Sequence, residues 1–273
     1  MMTLMSRMQK FAGLGLGKHR HGRKVSLLLA LAFGIGTFAV TSRAVVGGTD
    51  VPDGQFPFMT SLQFKGAGTS PLERHGCGAS LVSSTWVLTA AHCLLGTEPS
   101  DIEVVVGRTR LSNTGHGEVV GVKSFVSHPK FPQASVYDIA LLQLERPVTA
   151  ATPIGRVAGN ERLEDSEPAM TAVGWGETGA FLKSDGLQQA SMPRISDAAC
   201  ADFNPHLNPM SSFCIGVLAD GGPFPHSGDS GGPVFANRPG RGFVQLGVVS
   251  QAIVIVRLSN PEVAEFIEST IRD

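Results

Sequence analysis

The feature that most constrains the fold is a succession of short apolar or alternating segments that follow Ala44, each separated from the next by glycine, proline or serine. Such regular spacing of short segments is typical of antiparallel strands joined by tight turns, and it predicts an all-β fold of barrels or sandwiched sheets. The segments are PFMTSLQF, ASLVSSTWVLTA, IEVVVG, EVVGVKSFV, DIALLQL, AMTAVGWG, FVQLGVVS and AIVIVRLS.

Only the end of the chain has a helical pattern. Asn260 is a residue type that caps helices, and Pro261 suits the first turn. Apolar residues then recur at helical spacing, which predicts a C-terminal helix over residues 260–272 that packs against the rest of the fold. These apolar residues are Val263, Phe266, Ile267 and Ile271.

The composition excludes two broad classes. Of the 273 residues, 42% are hydrophobic and 16% are charged, so the chain has enough apolar surface to form a core and is not intrinsically disordered. The net charge is −1. Because nucleic-acid binding needs a strongly basic surface, the sequence predicts no nucleic-acid partner.

The first 44 residues differ from the rest. A basic stretch over 18–24 precedes an apolar run over 25–40, and small residues occupy the first and third places of Ser42-Arg43-Ala44. This pattern predicts a signal peptide over residues 1–44. The alternative is retention as a membrane anchor, but the run is short for a span, which takes about 20 residues. We therefore expect a secreted, extracellular protein, periplasmic in a Gram-negative bacterium, without stable membrane association after signal removal.

The segment after Ala44 contains four cysteines, an even number that is compatible with two disulfides in an exported protein. Three pairings are open in principle, and the one that joins neighbours in sequence is the simplest. Zinc binding is the alternative, but no pair has the close spacing that structural zinc sites favour. The cysteines are Cys77, Cys93, Cys200 and Cys214.

Three polar residues stand out within apolar surroundings: His92 in LTAAHCLL, Asp138 in YDIALLQL and Ser230 in GDSGGP. Singly, each is explained as a core histidine, a turn aspartate or a turn serine. Together they are the types needed for a serine nucleophile, its base and the group that orients the base. The glycines beside Ser230 would let the N–H groups of Gly228 and Ser230 converge on an oxyanion.

GDSGG also fits the G-x-S-x-G pattern of the α/β-hydrolases. That fold places its histidine after the serine, whereas here no histidine follows Ser230. The order of the three residues therefore excludes this alternative.

Five motifs follow one another along residues 45–273: VVGG at 45–48, LTAAHC at 88–93, DIALLQL at 138–144, AVGWG at 172–176 and GDSGGP at 228–233. Together they resemble the trypsin and chymotrypsin family of serine proteases. The resemblance implies two six-stranded antiparallel β-barrels, at approximately 45–150 and 151–259, with the active site between them and the C-terminal helix after them.

The same resemblance implies roles for residues. His92 would be the general base, Asp138 its orienting partner and Ser230 the nucleophile, and the disulfides would be Cys77–Cys93 and Cys200–Cys214. The implied function is a secreted serine endopeptidase that works through an acyl-enzyme, with protein or peptide substrates and proteinaceous inhibitors as partners.

The resemblance also implies an activation step. In this family a new N-terminus, here Val45, forms an ion pair with the aspartate before the nucleophile, here Asp229. The preceding residue is Ala44, which fits signal-peptidase preference. We therefore expect removal of the signal peptide itself to expose Val45.

The specificity region departs from the family. Phe224 lies where the family places the pocket base, and it offers no charge to a cationic side chain, so arginine or lysine specificity is not expected. Ser250 matches the segment that pairs with the substrate backbone. After it, part of the pocket wall is missing, and His226 replaces a usual cysteine. The alternative function is a catalytically impaired homologue that binds proteins.

The remaining candidates receive structural interpretations. Two tryptophans, Trp86 and Trp175, are predicted core residues, and four histidines are predicted surface or turn residues. The residues over 112–118 offer one carboxylate, too few for calcium, and no cofactor or metal is predicted. The four histidines are His75, His116, His128 and His206.

Overall fold

The structure is a computed structural model that describes residues 45–131, 137–178, 182–205, 207–217 and 222–272. The predicted signal peptide lies outside the described residues. Within them, no helix has both the length and the apolar character needed to cross a membrane.

Strands dominate the described chain. The strands are β1 (Thr49–Asp50), β2 (Met59–Phe64), β3 (His75–Ser83), β4 (Trp86–Thr89), β5 (Ile102–Val106), β6 (Glu118–Ser127), β7 (Ala140–Leu144), β8 (Gly155–Arg156), β9 (Met170–Gly174), β10 (Gln188–Met192), β11 (Arg194–Ile195), β12 (Ser212–Ile215), β13 (Pro233–Arg238), β14 (Gly242–Gln251) and β15 (Val254–Arg257). The α-helices are α1 (Pro71–Arg74), α2 (Asp197–Phe203) and α3 (Pro261–Arg272).

The N-terminal half forms a closed barrel of six strands in the order β2-β3-β4-β7-β6-β5. Strand β2 closes the ring because it pairs with β3 on one side and with β5 on the other. Strand β5 shows why these segments form strands: its sequence IEVVV is rich in β-branched residues, and four of the five are buried. Closure also removes the unpaired edges that an open sheet would expose.

The C-terminal half, joined by β1 from the start of the described chain, forms a nine-stranded sheet whose main path runs β1-β10-β9-β13-β14-β15-β12-β11, with β8 paired to β14. The prediction of an all-β, chymotrypsin-like fold with a C-terminal helix is confirmed. The pairing in the second half forms an open path, a half-barrel, in contrast to the closed ring of the first half.

Four phenylalanines join the barrel to the sheet. The ring of Phe56 lies 5.1 Å from that of Phe235 and 5.2 Å from that of Phe243, both in edge-to-face arrangements. Phe58 makes similar contacts with the same two rings at 5.4 and 5.9 Å. Such pairs are the geometry that aromatic quadrupoles favour, and they hold the two halves in one continuous core.

Both predicted disulfides are present. Cys77 in β3 is joined to Cys93, which lies in a short 3₁₀ helix just after β4. Cys200 in α2 is joined to Cys214 in β12. The prediction of the two local pairings is therefore confirmed.

The predicted C-terminal helix is confirmed as α3. The Oδ1 atom of Asn260 accepts hydrogen bonds from the backbone N–H groups of Glu262 at 2.9 Å and Val263 at 3.1 Å, so Asn260 caps the helix as expected. Val263 and Ile267 are buried on the inner face of the helix.

Candidate active site

His92 and Asp138 meet because their strands are neighbours. The last residue of β4, Thr89, pairs with the first residue of β7, Ala140, so the residues just after β4 and just before β7 lie side by side. His92 Nδ1 lies 2.6 Å from Asp138 Oδ2, and the His92 backbone N–H donates to Asp138 Oδ1 at 2.8 Å. The Asp138 side chain is buried, whereas that of His92 is 35% exposed. The imidazole of His92 is thus fixed by the buried Asp138 carboxyl group, and part of the ring is exposed to solvent.

Ser250 supplies a third hydrogen bond to the same carboxyl group. Its hydroxyl donates to Asp138 Oδ2 at 2.6 Å. Ser250 is the extra residue of a β-bulge, since Val249 pairs with Ile255 and Gln251 pairs with Val254. A bulge re-aims a side chain and leaves the backbone of the inserted residue outside the ladder. The sequence suggested Ser250 for substrate binding, but the role of its hydroxyl depends on a bulge that no local motif predicts.

Ser230 lies beside both of these residues. Its Oγ donates to the carbonyl oxygen of Ser250 at 3.4 Å, and its own carbonyl accepts from Gly78 N at 2.8 Å. The sulfur of Cys93 lies 3.7 Å from His92 Nε2 and 3.9 Å from the Ser230 carbonyl oxygen, so the histidine and the serine are neighbours. In this state, the Ser230 hydroxyl is directed to Ser250. The structure therefore brings together the three residues that the sequence singled out.

The turn before Ser230 leaves two N–H groups available. Within the described part of the chain, the backbone N–H groups of Gly228 and Ser230 donate to no protein acceptor, whereas the next one, that of Gly231, donates to Val249 O at 2.7 Å. Gly228 has a φ of +96°, and a Cβ there would lie 2.9 Å from the Cα of Gly176. Only glycine fits this position without strain.

The Asp229 side chain is buried in the protein. Its carboxyl group accepts from the N–H groups of Gly176 and His226, both at 2.9 Å, and from that of Val45. Burial raises its pKa to about 6, against the lowering effect of these three donors. Val45 is itself fully buried. The structure thus places the backbone N–H of Val45 in contact with Asp229, and the ion pair that the resemblance implies, which needs a free N-terminus at Val45, stays a prediction.

His75 supports the same turn, and the prediction that it is a surface or turn residue is wrong. It is fully buried, with Nδ1 2.8 Å from the Ser61 hydroxyl and Nε2 3.1 Å from the Gly228 carbonyl oxygen. Because a carbonyl only accepts, Nε2 carries the proton and Nδ1 accepts from Ser61. Burial, aided by the charge of Lys183, lowers the pKa of His75 to about 3. The sequence around it, ERHGCG, is polar and gives no sign of this burial.

Phe224 lies six residues before Ser230, in a segment that also contains His226. Phe224 is half-buried and forms an isolated bridge with Val46, and its N–H donates to Val46 O at 3.3 Å. His226 Nδ1 lies 3.2 Å from Glu177 Oε2. Phe224 and Ser250 therefore lie on the two segments that flank Ser230, and neither carries a charge.

Other predicted residues have simple structural roles or lie apart. The burial of Trp86 and Trp175 confirms them as core residues. His116 is exposed as predicted, but His128 is buried and stacks on Tyr137 at 4.6 Å, so its prediction as a surface residue is wrong. His206 lies outside the described residues.

One group of potential metal ligands, Cys77, His92 and Cys93, is found among the described residues. Both sulfurs of this group belong to a disulfide and offer no thiolate. The group therefore does not have the ligand set of a metal centre.

Known proteins resemble this chain in sequence and in fold. A family model described as Trypsin matches residues 45–266. A protein named trypsin from Saccharopolyspora erythraea is 35% identical over 195 residues, which cover 71% of this chain and 82% of that protein. Human serine protease 56 is 36% identical over 204 residues, covering 72% of this chain and 32% of that protein. The structure of the VesB protease from Vibrio cholerae aligns with a TM-score of 0.68 at 24% identity, covering 83% of this chain and 68% of that one, and so shares the fold.

Proposed function

The chain belongs to the trypsin family of serine proteases, and from this membership we propose that it is a secreted serine endopeptidase with Ser230, His92 and Asp138 as its catalytic triad. The observation that carries the proposal is the continuous set of contacts from Ser230 through Ser250 and Asp138 to His92. Family membership implies protein or peptide substrates, and proteinaceous inhibitors are proposed as further partners.

The arrangement supports acyl transfer in two stages. Ser230 Oγ attacks the carbonyl carbon of the scissile bond while His92 Nε2 takes its proton. Asp138 accepts from Nδ1 and stabilises the imidazolium that forms. His92 then gives the proton to the leaving amine, and water, activated by the same nitrogen, hydrolyses the ester on Ser230.

The oxygen of the tetrahedral intermediate needs donors that are already in place. The N–H groups of Gly228 and Ser230 are proposed for this role, because no acceptor among the described residues occupies them. Removing a single donor of this kind lowers kcat by about 100- to 1,000-fold in related chemistry.

We further propose that cleavage after Ala44 activates the protein. Among the described residues, backbone N–H groups surround the Asp229 carboxyl group, and no cationic side chain pairs with it. A free ammonium on Val45 would add a positive charge to this buried carboxylate and favour its ionised form. N-terminal sequencing of the secreted protein should begin at Val45, and any other start would contradict this step.

Export is proposed on two observations. The first 44 residues have the pattern of a signal peptide. The structure also contains two disulfides, and disulfides are typical of proteins that fold in oxidising compartments. Arginine and lysine specificity is not proposed, because Phe224 offers no charge to such a side chain.

The proposal is tested by covalent labelling of the purified secreted protein with a fluorophosphonate, followed by peptide mapping. We expect a stoichiometric adduct on Ser230 that is lost in His92→Ala and in Ser230→Ala. The exposed His116→Gln is a matched control that should label normally. A folded protein with Val45 exposed and no adduct would refute the proposed activity and favour a protein-binding role.

A further inference from the structure

The hairpin β14–β15 forms one side of the space beside Ser230. Strand β14 reaches Ser250, whose carbonyl oxygen lies 3.4 Å from Ser230 Oγ, and it ends one residue later. The other side is the segment from Phe224 to Gly228, which leads into the nucleophile. When Ser230 attacks a carbonyl held by the N–H groups of Gly228 and Ser230, the side chain next to that carbonyl must enter between these two segments.

The hairpin turns back at once. Gln251 pairs with Val254, so the turn consists of Ala252 and Ile253 alone. Ala252 is exposed and adopts a φ of +46°, in the left-handed region, whereas Ile253 is only 6% exposed. The turn therefore directs one side chain to solvent and the other inward. Because this turn has only two residues, we expect the space beside Ser230 to be shallow for a substrate side chain.

Ile253 is fixed in this inward position. Its carbonyl oxygen accepts from Ile215 N–H at 3.1 Å, which ties the turn to the end of β12. Its Cγ2 atom lies 3.3 Å from where a Cβ on Gly216 would be, and Phe224 Cβ lies 4.0 Å from the same point. Ile253 and Phe224 thus converge on Gly216.

A separate apolar cluster surrounds these residues and backs the pair that Ile253 and Phe224 form. Ile253, Val254 and Ile195 form it together with the Cys200–Cys214 disulfide, and Phe224 packs against it. Because tightly packed side chains resist insertion of further atoms, a large side chain could enter only by displacing Ile253 or Phe224.

We propose that Ile253 is the specificity-determining residue, and that its side chain restricts cleavage to peptides with glycine, alanine or serine on the acyl side of the scissile bond. This inference rests on the proposed endopeptidase function and names its substrate class. Phe224 forms the other half of the same barrier. Neither Ile253 nor Phe224 offers a charge to a cationic side chain, and their close packing excludes large apolar side chains.

The test uses peptide anilides that differ only in the acyl-side residue, with alanine, valine, leucine or phenylalanine. For the wild type we expect kcat/KM to be at least about tenfold higher with alanine than with leucine or phenylalanine. Ile253→Ala should reduce this ratio about tenfold by opening the base of the space. Ile253→Val, a milder change that keeps the packing, should move the ratio in the same direction.

Ile195→Ala is the matched control, because Ile195 belongs to the same cluster with a similar exposure of 7% but lies at the strand β11 instead of in the turn. Ile195→Ala should lower the free energy of unfolding about as much as Ile253→Ala does. It should leave the ranking of the anilides by kcat/KM unchanged. Equal cleavage after alanine and phenylalanine by the wild type would overturn the inference, as would equal broadening by Ile195→Ala.

Two readouts separate this inference from the proposed function. Fluorophosphonate labelling of Ser230 reports catalytic competence whatever the side-chain preference, so a labelled protein without the alanine preference refutes the inference alone. If no label is found, Ser230→Ala protein is titrated with peptides ending in alanine or phenylalanine. Tighter binding of the alanine peptide, reversed by Ile253→Ala, supports the role of Ile253, and equal binding refutes it.

Discussion

The buried histidine His75 gives the most direct test of the structure, through the pH dependence of stability. It is neutral, it donates to the Gly228 carbonyl and accepts from Ser61, and its ring packs edge-on against Trp175 at 5.5 Å. Protonation would place a charge in a buried site and would require Nδ1, now an acceptor, to become a donor. The perturbation is therefore mild acid, and the comparison protein is His75→Gln, which keeps a donor for Gly228.

The magnitude follows from the two pKa values. The pKa of His75 is lowered from 6.5 to about 3 by folding, so the unfolded chain binds this proton over the whole interval and the folded chain does not. The stability that His75 contributes is complete above pH 6.5 and is lost as the pH falls towards 3. Each pH unit costs about 1.4 kcal/mol, which amounts to about 2 kcal/mol between pH 7 and pH 5.

Asp229 titrates nearby in the opposite sense. In the chain that is not cleaved after Ala44, burial raises the pKa of Asp229 to about 6, so its protonation stabilises the folded chain as the pH falls through 6. The two contributions partly cancel in the wild type, and a single pH profile would hide both. Because Asp229 is common to the wild type and to His75→Gln, the difference between the two proteins isolates His75.

The assay is urea unfolding of both proteins at several pH values from 7 to 5, followed by fluorescence. We expect the free energy of unfolding of the wild type, relative to His75→Gln, to fall by about 2 kcal/mol across this range. His116→Gln, which alters an exposed histidine, should show the pH profile of the wild type. A constant difference between the wild type and His75→Gln would refute the assignment of His75 as a buried neutral residue.

Three further predictions concern the hairpin β14–β15. Ser250→Ala removes one donor to the Asp138 carboxylate and should lower kcat about tenfold with little change in KM, and unchanged anilide kinetics would contradict this role. Arg257 in β15 and Glu164 form an ion pair in which both side chains are buried. Arg257→Met leaves Glu164 without this partner and should cost about 3–5 kcal/mol in urea unfolding, part of which the double variant with Glu164→Gln should recover. Ala252→Gly should stabilise the protein by about 0.5–1 kcal/mol by relieving the left-handed backbone, and a loss of stability would argue against the turn geometry.

The fold was largely predictable from sequence because alternation and turn residues are local signals. The segment IEVVV became β5, and the capping pattern at Asn260 became the start of α3. The partners of each strand are not local, and the sequence alone favoured barrels or sandwiches equally. The resemblance to a known family was needed to choose between them, and the open pairing path of the second half was still not anticipated.

The site was predictable where function requires a particular chemical group, and unpredictable where it depends on backbone geometry. His92, Asp138 and Ser230 are recognisable by type and order. The burial of His75 was missed because its environment comes from Ser61, Trp175 and the turn before Ser230, which are distant in sequence. Burial of a polar side chain depends on partners that folding brings together. The residues adjacent to it in sequence do not identify these partners.

In the proposed function, the hairpin β14–β15 links catalysis to specificity through two backbone irregularities that are close in sequence. The bulge at Ser250 frees a carbonyl for Ser230 and aims a hydroxyl at Asp138, while the turn at Ala252 and Ile253 directs an apolar side chain inward. The first depends on the register of β14 against β15, and that register is set by the ladder from Gly247 onwards. The turn can therefore shorten without moving Ser250. A short turn is thus physically consistent with the geometry of the proposed triad, and we expect such a chain to keep the proposed chemistry while its substrates differ.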